Sequence, residues 1–405
     1  MKTKNTSNRS KMDVRRQSST SFYCSCLSTL FLISAACFFI WSTEFVVTDY
    51  KERMILSWGW IGDYTTQNTT SNNKTTCEIE SRPRGSESLP KGIVTKTSDY
   101  EMHQLWGPRK KKNPKSSTNL LAMAVGIKQK ESVNKIIKKF LSTNNFVVML
   151  FHYDGIVNEW TDLDWSDHAI HVSAINQTKW WFAKRFLHPD IVCDYAYIFL
   201  WDEDLGVENF NVGRYLSIIK EEGLEISQPA LDSDQSEVHY PFTARDDKLK
   251  VHRKVFKMIG GRKCDESSTE PPCAGWVEMM APVFSFSSWR CTWHIIQNDL
   301  VHAWGLDFQL GYCAQGDRTK NIGIVDSEYV IHYGLPTLGG SVANKENDGE
   351  PDRVAESAQS HSLHVSDARS QVRKQSFIEL EIFKNRWKKA VQEDHCWKDP
   401  YQKPT

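Results

Sequence analysis

The stretch Tyr197–Asp204 reads YIFLWDED, so that five apolar or aromatic residues run directly into three acids. A run without polar alternation is typical of a strand buried on both faces of a parallel sheet. Successive side chains of a strand point to opposite faces, so Asp202 and Asp204 are expected on the same side of the strand end. The stretch therefore predicts a buried strand with two carboxylates at its carboxyl end.

Strands and helices are expected to alternate on both sides of this stretch. Short apolar runs predict strands, and apolar residues at helical spacing predict helices. This alternation predicts an α/β fold with a mostly parallel central sheet flanked by helices. The predicted strands are Leu120–Gly126, Phe146–Phe151, Ala169–Val172, Tyr195–Trp201, Leu224–Ala230, Met280–Ser285 and Ile322–Ile331, and the predicted helices are Ser132–Leu141, Lys179–Leu187, Val212–Glu222, Ser288–Leu300 and Phe377–Gln392.

The N-terminal segment predicts a membrane anchor. Residues 1–20 carry six Lys or Arg and one Asp, and Phe22–Trp41 then runs for 20 residues without a charge. A helix needs about 20 apolar residues to cross a bilayer, and basic flanks stay cytosolic. A cleaved signal peptide is one alternative, but its apolar region usually spans about 7–15 residues. A mitochondrial transit peptide is another, but those segments are amphipathic.

Changes in composition along the chain predict where its segments begin and end. We predict a cytosolic tail at 1–21, a transmembrane signal-anchor at 22–42, a flexible stem at 43–90, a lumenal α/β domain at 91–340, and a polar linker with a C-terminal helix at 341–405. The stem is rich in Thr, Asn, Ser and Pro, which is typical of flexible segments. The 50 basic and 50 acidic residues balance, so no overall field favours binding to nucleic acid.

Cysteines and glycosylation sequons are consistent with a lumenal domain. Seven cysteines lie beyond the apolar segment without a C-x-x-C pair, which argues against a structural zinc site. Cys264 and Cys273 flank a Pro-rich turn and are expected to form a local disulfide, with buried thiols as the alternative. N-x-S/T sequons, which are weak evidence because they are common by chance, occur at Asn68, Asn73 and Asn176.

Asp202 and Asp204 are candidate metal ligands. Ligands of open α/β sheets bind beyond the carboxyl ends of the strands. Mn²⁺ and Mg²⁺ commonly take one or two carboxylates there and complete their shell with water and phosphate oxygens. The alternative is that these acids end the strand and cap the turn at Gly206–Asn209.

The anchor, the stem, the sheet pattern and Asp202-Glu203-Asp204 together resemble a Golgi glycosyltransferase of the GT-A type. The resemblance implies that Asp202 and Asp204 hold Mn²⁺ or Mg²⁺ on the diphosphate of a nucleotide sugar. The metal would then stabilise the leaving group as a Lewis acid. Such an enzyme also implies a glycan or glycoconjugate acceptor.

Two later segments extend the resemblance. Trp304-Gly305-Leu306-Asp307 resembles the stretch that supplies an acceptor-side base in several inverting enzymes. Val330-Ile331-His332-Tyr333-Gly334 resembles the late strand whose histidine completes the metal site. The alternatives are a helix N-cap for Asp307 and a strand histidine bonded to backbone for His332. Glu278, in Gly275-Trp276-Val277-Glu278, is a weaker acceptor-side candidate.

At closer range, the chain resembles a plant family known as domain of unknown function 707, often labelled lysine ketoglutarate reductase trans-splicing related. The resemblance implies a GT-A-like fold and an endomembrane location, without a substrate. The label itself is not supported, because the chain has no G-x-G for a nicotinamide site and no net basic charge for RNA. The matching stretches are Lys91–Leu105, Trp165–Trp181, Phe199–Phe210, Ile226–Ala230, Gly275–Val283 and Trp304–Tyr312.

The sequence thus supports two main hypotheses. The first is a metal-dependent glycosyltransferase, for which Asp202, Asp204 and His332 should converge, with Asp307 as base if the reaction inverts. The second is a non-catalytic lumenal carbohydrate-binding or scaffold protein, for which the acids should be paired with Arg or Lys. For sugar binding without catalysis, tryptophans such as Trp180, Trp181 and Trp276 would form stacking platforms, with core packing as the alternative and at most one of Trp180 and Trp181 in a site. The anchor argues against a soluble or nuclear regulator.

Overall fold

The structure is a computed structural model that describes residues 82–94, 118–236, 238–255, 258–259, 262–335 and 359–401. The predicted tail, signal-anchor and most of the stem lie outside these residues, as do most of the polar linker and the sequons at Asn68 and Asn73. Among the described residues, no helix combines the length and the apolar character needed to span a bilayer.

A nine-stranded mixed sheet forms the centre of the described chain. The strands in chain order are β1 (Asn119–Val125), β2 (Phe146–His152), β3 (Ile170–Ser173), β4 (Tyr197–Trp201), β5 (Leu205–Gly206), β6 (Ile226–Leu231), β7 (Val251–His252), β8 (Met258–Ile259), β9 (Arg262–Lys263), β10 (Val283–Ser285) and β11 (Ile322–His332). The order across the sheet is β3-β2-β1-β4-β10-β6-β11-β5, and β7 pairs with β11. Strands β8 and β9 form a separate antiparallel pair.

The predicted α/β class is confirmed, and the sheet is more mixed than the apolar strands indicated. Strands β1, β2, β3, β4, β6 and β11 run in one direction. Strand β10 lies antiparallel between β4 and β6, and β5 and β7 run antiparallel to β11. Because β10 is only three residues long and is buried like its neighbours, its composition alone did not reveal its direction.

Helices cover both faces of the sheet. Strand β4 shows why, since Ile198 and Leu200 belong to one apolar cluster while Phe199 and Trp201 belong to the other. Complete burial of such side chains contributes about 1.5–3 kcal/mol each. The helices are α1 (Lys130–Leu141), α2 (Lys179–Phe186), α3 (Val212–Glu221), α4 (Phe286–Ile295), α5 (Arg318–Asn321) and α6 (Gln359–Glu393).

Both ends of the described chain pack on the α/β body. Phe383 of α6 is buried in the core, and Arg82 forms an ion pair with Asp394 at 2.7 Å. The indole of Trp397 donates a hydrogen bond to the carbonyl of Ser88 at 2.9 Å. The compact unit therefore spans Ile79–Thr405 and begins within the segment that the sequence assigned to the stem.

Two disulfides whose cysteines both lie in the described ranges close loops on the body. The predicted bond between Cys264 and Cys273 is present. A second bond joins Cys291 of α4 to Cys313, and it was not predicted because these cysteines lie 22 residues apart with no local turn between them. Both bonds are buried.

We expect the double substitution Cys291→Ser and Cys313→Ser to lower the free energy of unfolding by about 3 kcal/mol, because loop-closure entropy grows with loop length. The matched control, Cys264→Ser with Cys273→Ser, removes the disulfide that closes the shorter loop. Its cysteines are 9 residues apart in sequence, whereas Cys291 and Cys313 are 22 residues apart. The same relation gives a loss about 0.8 kcal/mol smaller for this control. Denaturant unfolding under non-reducing conditions measures both values. A larger loss for the shorter loop would contradict the expectation.

Candidate functional site

The three acids that follow β4 have different surroundings. The side chain of Asp202 is 39% exposed, whereas Glu203 and Asp204 are buried. The backbone N–H of Asp202 donates to the carbonyl of Met280 at 2.8 Å, so the segment before β10 runs beside the end of β4. The three carboxylates therefore serve different contacts, although they are adjacent in sequence.

Asp204 and His332 are brought together by strand pairing. In the β5–β11 pair, His332 lies opposite Leu205, the residue after Asp204. The Oδ2 atom of Asp204 is 3.6 Å from Nε2 of His332, and it also accepts a hydrogen bond from the N–H of Leu335 at 3.0 Å. Burial and the nearby charge of Asp202 raise the pKa of Asp204, while His332 and Leu335 oppose the shift.

Asp202 is held by a lysine that the sequence analysis did not identify. The Nζ atom of Lys179 lies 2.6 Å from Oδ1 of Asp202. Lys179 is the first residue of α2, whose N-cap Thr178 accepts a hydrogen bond from the N–H of Trp181. The sequence places this lysine on an amphipathic helix, where a solvated position is the usual expectation, and no local signal marks it as buried.

Glu203 joins three strand ends. Its carboxylate accepts a hydrogen bond from the N–H of Gly126, after β1, at 2.7 Å and one from the hydroxyl of Tyr153, after β2. Burial raises the pKa of Glu203 to about 8, although both hydrogen bonds oppose the shift. A side chain at Gly126 would collide with the Tyr153 ring, which explains the glycine.

We expect Tyr153→Phe to destabilise the fold by about 1–3 kcal/mol, because it leaves a buried carboxyl without one of its partners. Tyr333→Phe is the matched control, since Tyr333 is 43% exposed and surface substitutions usually change stability by less than about 0.5 kcal/mol. Denaturant unfolding compares the two variants. Equal losses would mean that the Tyr153–Glu203 hydrogen bond does not hold the strand ends together.

Two further carboxylates, Glu278 and Asp307, each accept a side-chain hydrogen bond. The indole N–H of Trp276 donates to Oδ2 of Asp307 at 3.1 Å, and the Thr243 hydroxyl donates to Oε2 of Glu278 at 3.3 Å. Asp307 lies two residues after Gly305, which has a φ of +92°. Gly305 packs closely against α6, because a Cβ atom at this position would lie only 2.7 Å from Cδ1 of Leu380. Helix α6 thus helps to fix the turn that carries Asp307.

Electrostatic interactions connect Glu278 with Asp307 and with residues at the strand end. Burial raises the pKa of Glu278 to about 7, the charge of His332 opposes the shift, and the charges of Asp202 and Asp307 add to it. Burial also raises the pKa of Asp307 to about 6, against the hydrogen bond from Trp276. Groups with such shifts in one place are typical of functional sites.

An exposed aromatic ring borders the two carboxylates. Tyr240 is 41% exposed, and its ring packs edge-on against Trp276 with centroids 5.1 Å apart. Burial raises the pKa of its hydroxyl, as do Asp307 and Glu278. Trp180, Trp289 and Trp293 are instead buried in the core, as the packing alternative expected. Trp276 is likewise buried at 1% exposure, so the exposed ring of Tyr240 is the part of this aromatic pair that can meet a ligand.

The predicted metal ligands were tested against this geometry. Within the described ranges, no group of three or more His, Cys, Asp and Glu residues is arranged to hold a metal ion. Asp204 and His332 do approach each other, and their oxygen and nitrogen donors suit Mn²⁺ or Mg²⁺. Such ions commonly take only one or two protein ligands and complete their shell with water and substrate phosphate. The residues thus fit a two-ligand site, and Asp202 is engaged by Lys179.

The fold and the site define a mixed α/β protein with an acidic site at the carboxyl end of its central strand. The family model described as protein of unknown function (DUF707) matches residues 80–393. The chain therefore belongs to this family. A comparison with curated proteins gave no match.

Two solved structures show partial similarity. The crystal structure of S. aureus TarS 1-349 shares 7% identity, with 53% of this chain and 59% of that chain covered and a TM-score of 0.33. The X-ray structure of the mannosyltransferase Ktr4p from S. cerevisiae shares 11% identity, with 37% and 49% covered and a TM-score of 0.22. The chain thus spans about three fifths of the first and half of the second. At these TM-scores neither similarity carries an argument about function.

Proposed function

We propose that this protein is a metal-dependent glycosyltransferase of the endomembrane system with a GT-A-like fold. It would transfer a sugar from a nucleotide sugar to a glycan or glycoconjugate acceptor. The observation that carries the proposal is the approach of Asp204 to His332 at the carboxyl end of β4, with the charges of His332, Asp202 and Asp307 acting on the nearby Glu278. Open α/β sheets bind their ligands beyond this end of the strands.

The donor side would be formed by Asp202, Asp204 and His332. Asp204 and His332 would hold Mn²⁺ or Mg²⁺, and Asp202 would take part in binding the nucleotide sugar. When bound, the metal neutralises charge on the departing diphosphate. Burial of Asp204 and His332, whose side chains are 12% and 11% exposed, strengthens their interaction with a cation because less water screens it.

The acceptor side would be formed by Asp307 and Glu278. A base with a pKa of about 6 is deprotonated at neutral pH and still accepts a proton in the transition state. Asp307 would therefore deprotonate an acceptor hydroxyl if the reaction inverts configuration, whereas a retaining reaction would not need this base. Tyr240 would offer its exposed ring to the acceptor sugar.

An oxidising compartment is supported by covalent features of the described chain. Disulfides such as Cys264–Cys273 and Cys291–Cys313 persist in the endoplasmic reticulum and beyond, and they are rare in the cytosol. Asn176, the sequon residue within the described ranges, is exposed. The signal-anchor at 22–42 remains a prediction from the sequence, and with it the type II orientation in the Golgi membrane.

A second candidate function is supported by the Lys179–Asp202 ion pair. Pairing of an acid with lysine is what the sequence led us to expect of a carbohydrate-binding or scaffold protein without turnover. The pair neutralises one of the two carboxylates that the enzyme hypothesis assigned to metal and nucleotide. Glu278 and Asp307, with pKa values raised toward neutrality, favour the enzyme because simple sugar binding does not require them.

Turnover distinguishes the two functions. The full-length protein would be incubated with Mn²⁺, a panel of nucleotide sugars and a panel of glycan acceptors, and the released nucleoside diphosphate would be measured. We expect release from one donor, lost on addition of a chelator and in His332→Ala, and retained in Asp247→Asn, which replaces an exposed acid. Donor binding without release across a panel of acceptors would support the scaffold function and refute the enzyme.

A further inference from the structure

We propose that His252 is a positioning residue that fastens residues 240–246 to the sheet and thereby sets the affinity for the acceptor through Tyr240. The fastening needs both ring N–H groups of His252, so it weakens when this histidine loses a proton. The exposed ring of Tyr240 lies close enough to Glu278 and Asp307 to be affected by their charges. The identity of the ligand rests on the proposed function, whereas the fastening itself does not.

The ring of His252 lies between two hydrogen-bond acceptors. Its Nδ1 atom is 2.9 Å from both carboxylate oxygens of Asp326, and its Nε2 atom is 2.8 Å from the carbonyl oxygen of Phe242. An ionised carboxylate and a carbonyl group accept hydrogen bonds and donate none. A neutral imidazole carries one N–H, so both contacts are satisfied only when the ring is doubly protonated.

Burial makes the loss of either contact costly. His252 is 7% exposed and Asp326 is fully buried, so water does not replace a missing donor. Burial by itself lowers the pKa of His252, but the hydrogen bond and the charge of Asp326 outweigh it and raise the pKa above 6.5. The fastening is therefore complete below pH 6.5 and is lost as the pH rises through the raised pKa.

The other charged groups near His252 leave Asp326 as its ion partner. Asp246, in the fastened segment, also acts to raise the pKa of His252. The Nε atom of Arg245 donates to the backbone carbonyl of Asp326 at 3.1 Å. Next to His252 in sequence, Arg253 is paired with a glutamate at 2.9 Å.

His252 and Asp326 hold the segment at two points. His252 donates to the carbonyl of Phe242, and the N–H of Asp246 donates to Oδ1 of Asp326 at 2.8 Å. Asp326 belongs to β11 and His252 to β7, which pair with each other. Residues 242–246 are thus fixed to the central sheet through one histidine–carboxylate pair.

Tyr240 is coupled to this fixed part by two contacts. The N–H of Thr243 donates to the carbonyl of Tyr240 at 3.0 Å. The rings of Phe242 and Tyr240 pack on the same indole, that of Trp276, with centroids 5.5 Å and 5.1 Å away. When Phe242 loses its hydrogen bond, the Tyr240 ring loses its fixed position, and a ligand that stacks on it binds more weakly because the ring must first be ordered.

Asp326→Asn separates the charge of the pair from its hydrogen bonds. The amide nitrogen can donate to Nδ1 of a neutral His252, whose Nε2–H then donates to Phe242, so the contacts are satisfied without a proton to lose. His252→Asn has the opposite effect. Its shorter side chain ends near the position of Nδ1 and cannot reach Phe242 at any pH.

His302→Asn is the matched control. The Nδ1 atom of His302 lies 2.9 Å from Oε1 of Glu379, so this variant also removes a histidine–carboxylate contact. Its partner belongs to α6, whereas the partners of His252 are Asp326 and Phe242. An effect that arises only from removing such a pair should therefore appear equally in His302→Asn.

The test follows amide hydrogen exchange of residues 240–246 in the full-length protein, corrected for the intrinsic effect of pH. We expect the protection of the native segment to fall at least about tenfold between about pH 6 and pH 9, because a hydrogen bond to a charged group is lost. Asp326→Asn should keep the high protection at both pH values. His252→Asn should lack it at both, and His302→Asn should behave like the native protein.

Transfer to the acceptor is then measured at saturating donor over the same pH range. In the native enzyme, KM for the acceptor should rise about tenfold with pH, whereas in Asp326→Asn it should stay low. The pH profile of kcat should be the same in both proteins. Equal native protection at both pH values, or an acceptor KM that rises with pH in Asp326→Asn as it does in the native enzyme, would overturn the inference.

Two further outcomes keep the test decisive. If His252→Asn does not fold, Asp326→Asn decides alone, because a flat exchange profile supports the fastening by His252 and a profile like the native one refutes it. Absence of turnover by every protein would refute the transferase, which is a separate result. The exchange profiles would then still decide whether the protonated His252 fixes residues 240–246.

Discussion

Asp204→Asn is expected to lower kcat/KM for sugar transfer by about 10³-fold while the protein stays folded, which corresponds to about 4 kcal/mol of lost transition-state stabilisation. The reason is that a metal ion at a departing diphosphate contributes several kcal/mol. In the proposed site the substitution removes one of the two protein ligands of the metal, while it preserves the shape of the side chain. Initial rates with the donor identified by the panel measure the effect.

His332→Ala should cause a loss of similar size, because in the proposed metal site His332 is the second protein ligand, with Nε2 3.6 Å from Oδ2 of Asp204. Raising the Mn²⁺ concentration should restore part of the activity in each single variant, since weaker metal binding is the cause. The double variant should not be restored. Activity of Asp204→Asn within tenfold of the native enzyme, with no dependence on Mn²⁺, would rule out this metal site.

Asp307→Asn is expected to lower kcat by about 10²–10⁴-fold if the reaction inverts, which is the usual contribution of a positioned general base. The base must be deprotonated to act. The rate of the native enzyme should therefore rise with pH through the pKa of Asp307, about 6, and then level off. This acid limb should disappear in Asp307→Asn. The pH profile of kcat/KM measures both effects.

Trp276→Phe gives an independent check of the same base. The indole hydrogen bond lowers the pKa of Asp307, so its removal should move the acid limb to higher pH. The other charged groups that act on this region are Glu278, His332 and Asp202, and the substitution leaves them in place. An acid limb near pH 7 that is lost in Glu278→Gln, whose carboxyl has a pKa of about 7, would instead identify Glu278 as the base.

The central strand and its acids could be predicted from local sequence. The uninterrupted run YIFLW places Ile198 and Leu200 on one face and Phe199 and Trp201 on the other, and the acids stop the strand where ligands bind. The approach of His332 to Asp204 was expected only through resemblance to other enzymes. Its physical cause is the short β5–β11 pairing, which no local pattern reveals.

The parts that could not be predicted depend on contacts distant in sequence. Lys179 meets Asp202 because α2 begins beside the carbonyls of Met279 and Met280, about a hundred residues later in the chain. The disulfide between Cys291 and Cys313 and the ion pair between Arg82 and Asp394 also join residues that are distant in sequence. Each of them depends on how the elements pack, whereas residue periodicity reports only which face of an element is buried.

The most direct test of the central claim is a thermal-shift measurement on the full-length protein with Mn²⁺ and nucleotide sugars, beside the Asp204→Asn/His332→Ala variant. A ligand that binds only the native state raises its stability by mass action. We expect one nucleotide sugar to raise Tm only when Mn²⁺ is present, and the folded variant to show no shift. An equal shift in the variant, or no shift with any donor for a well-folded native protein, would contradict the claim that this strand end binds a nucleotide sugar through a metal.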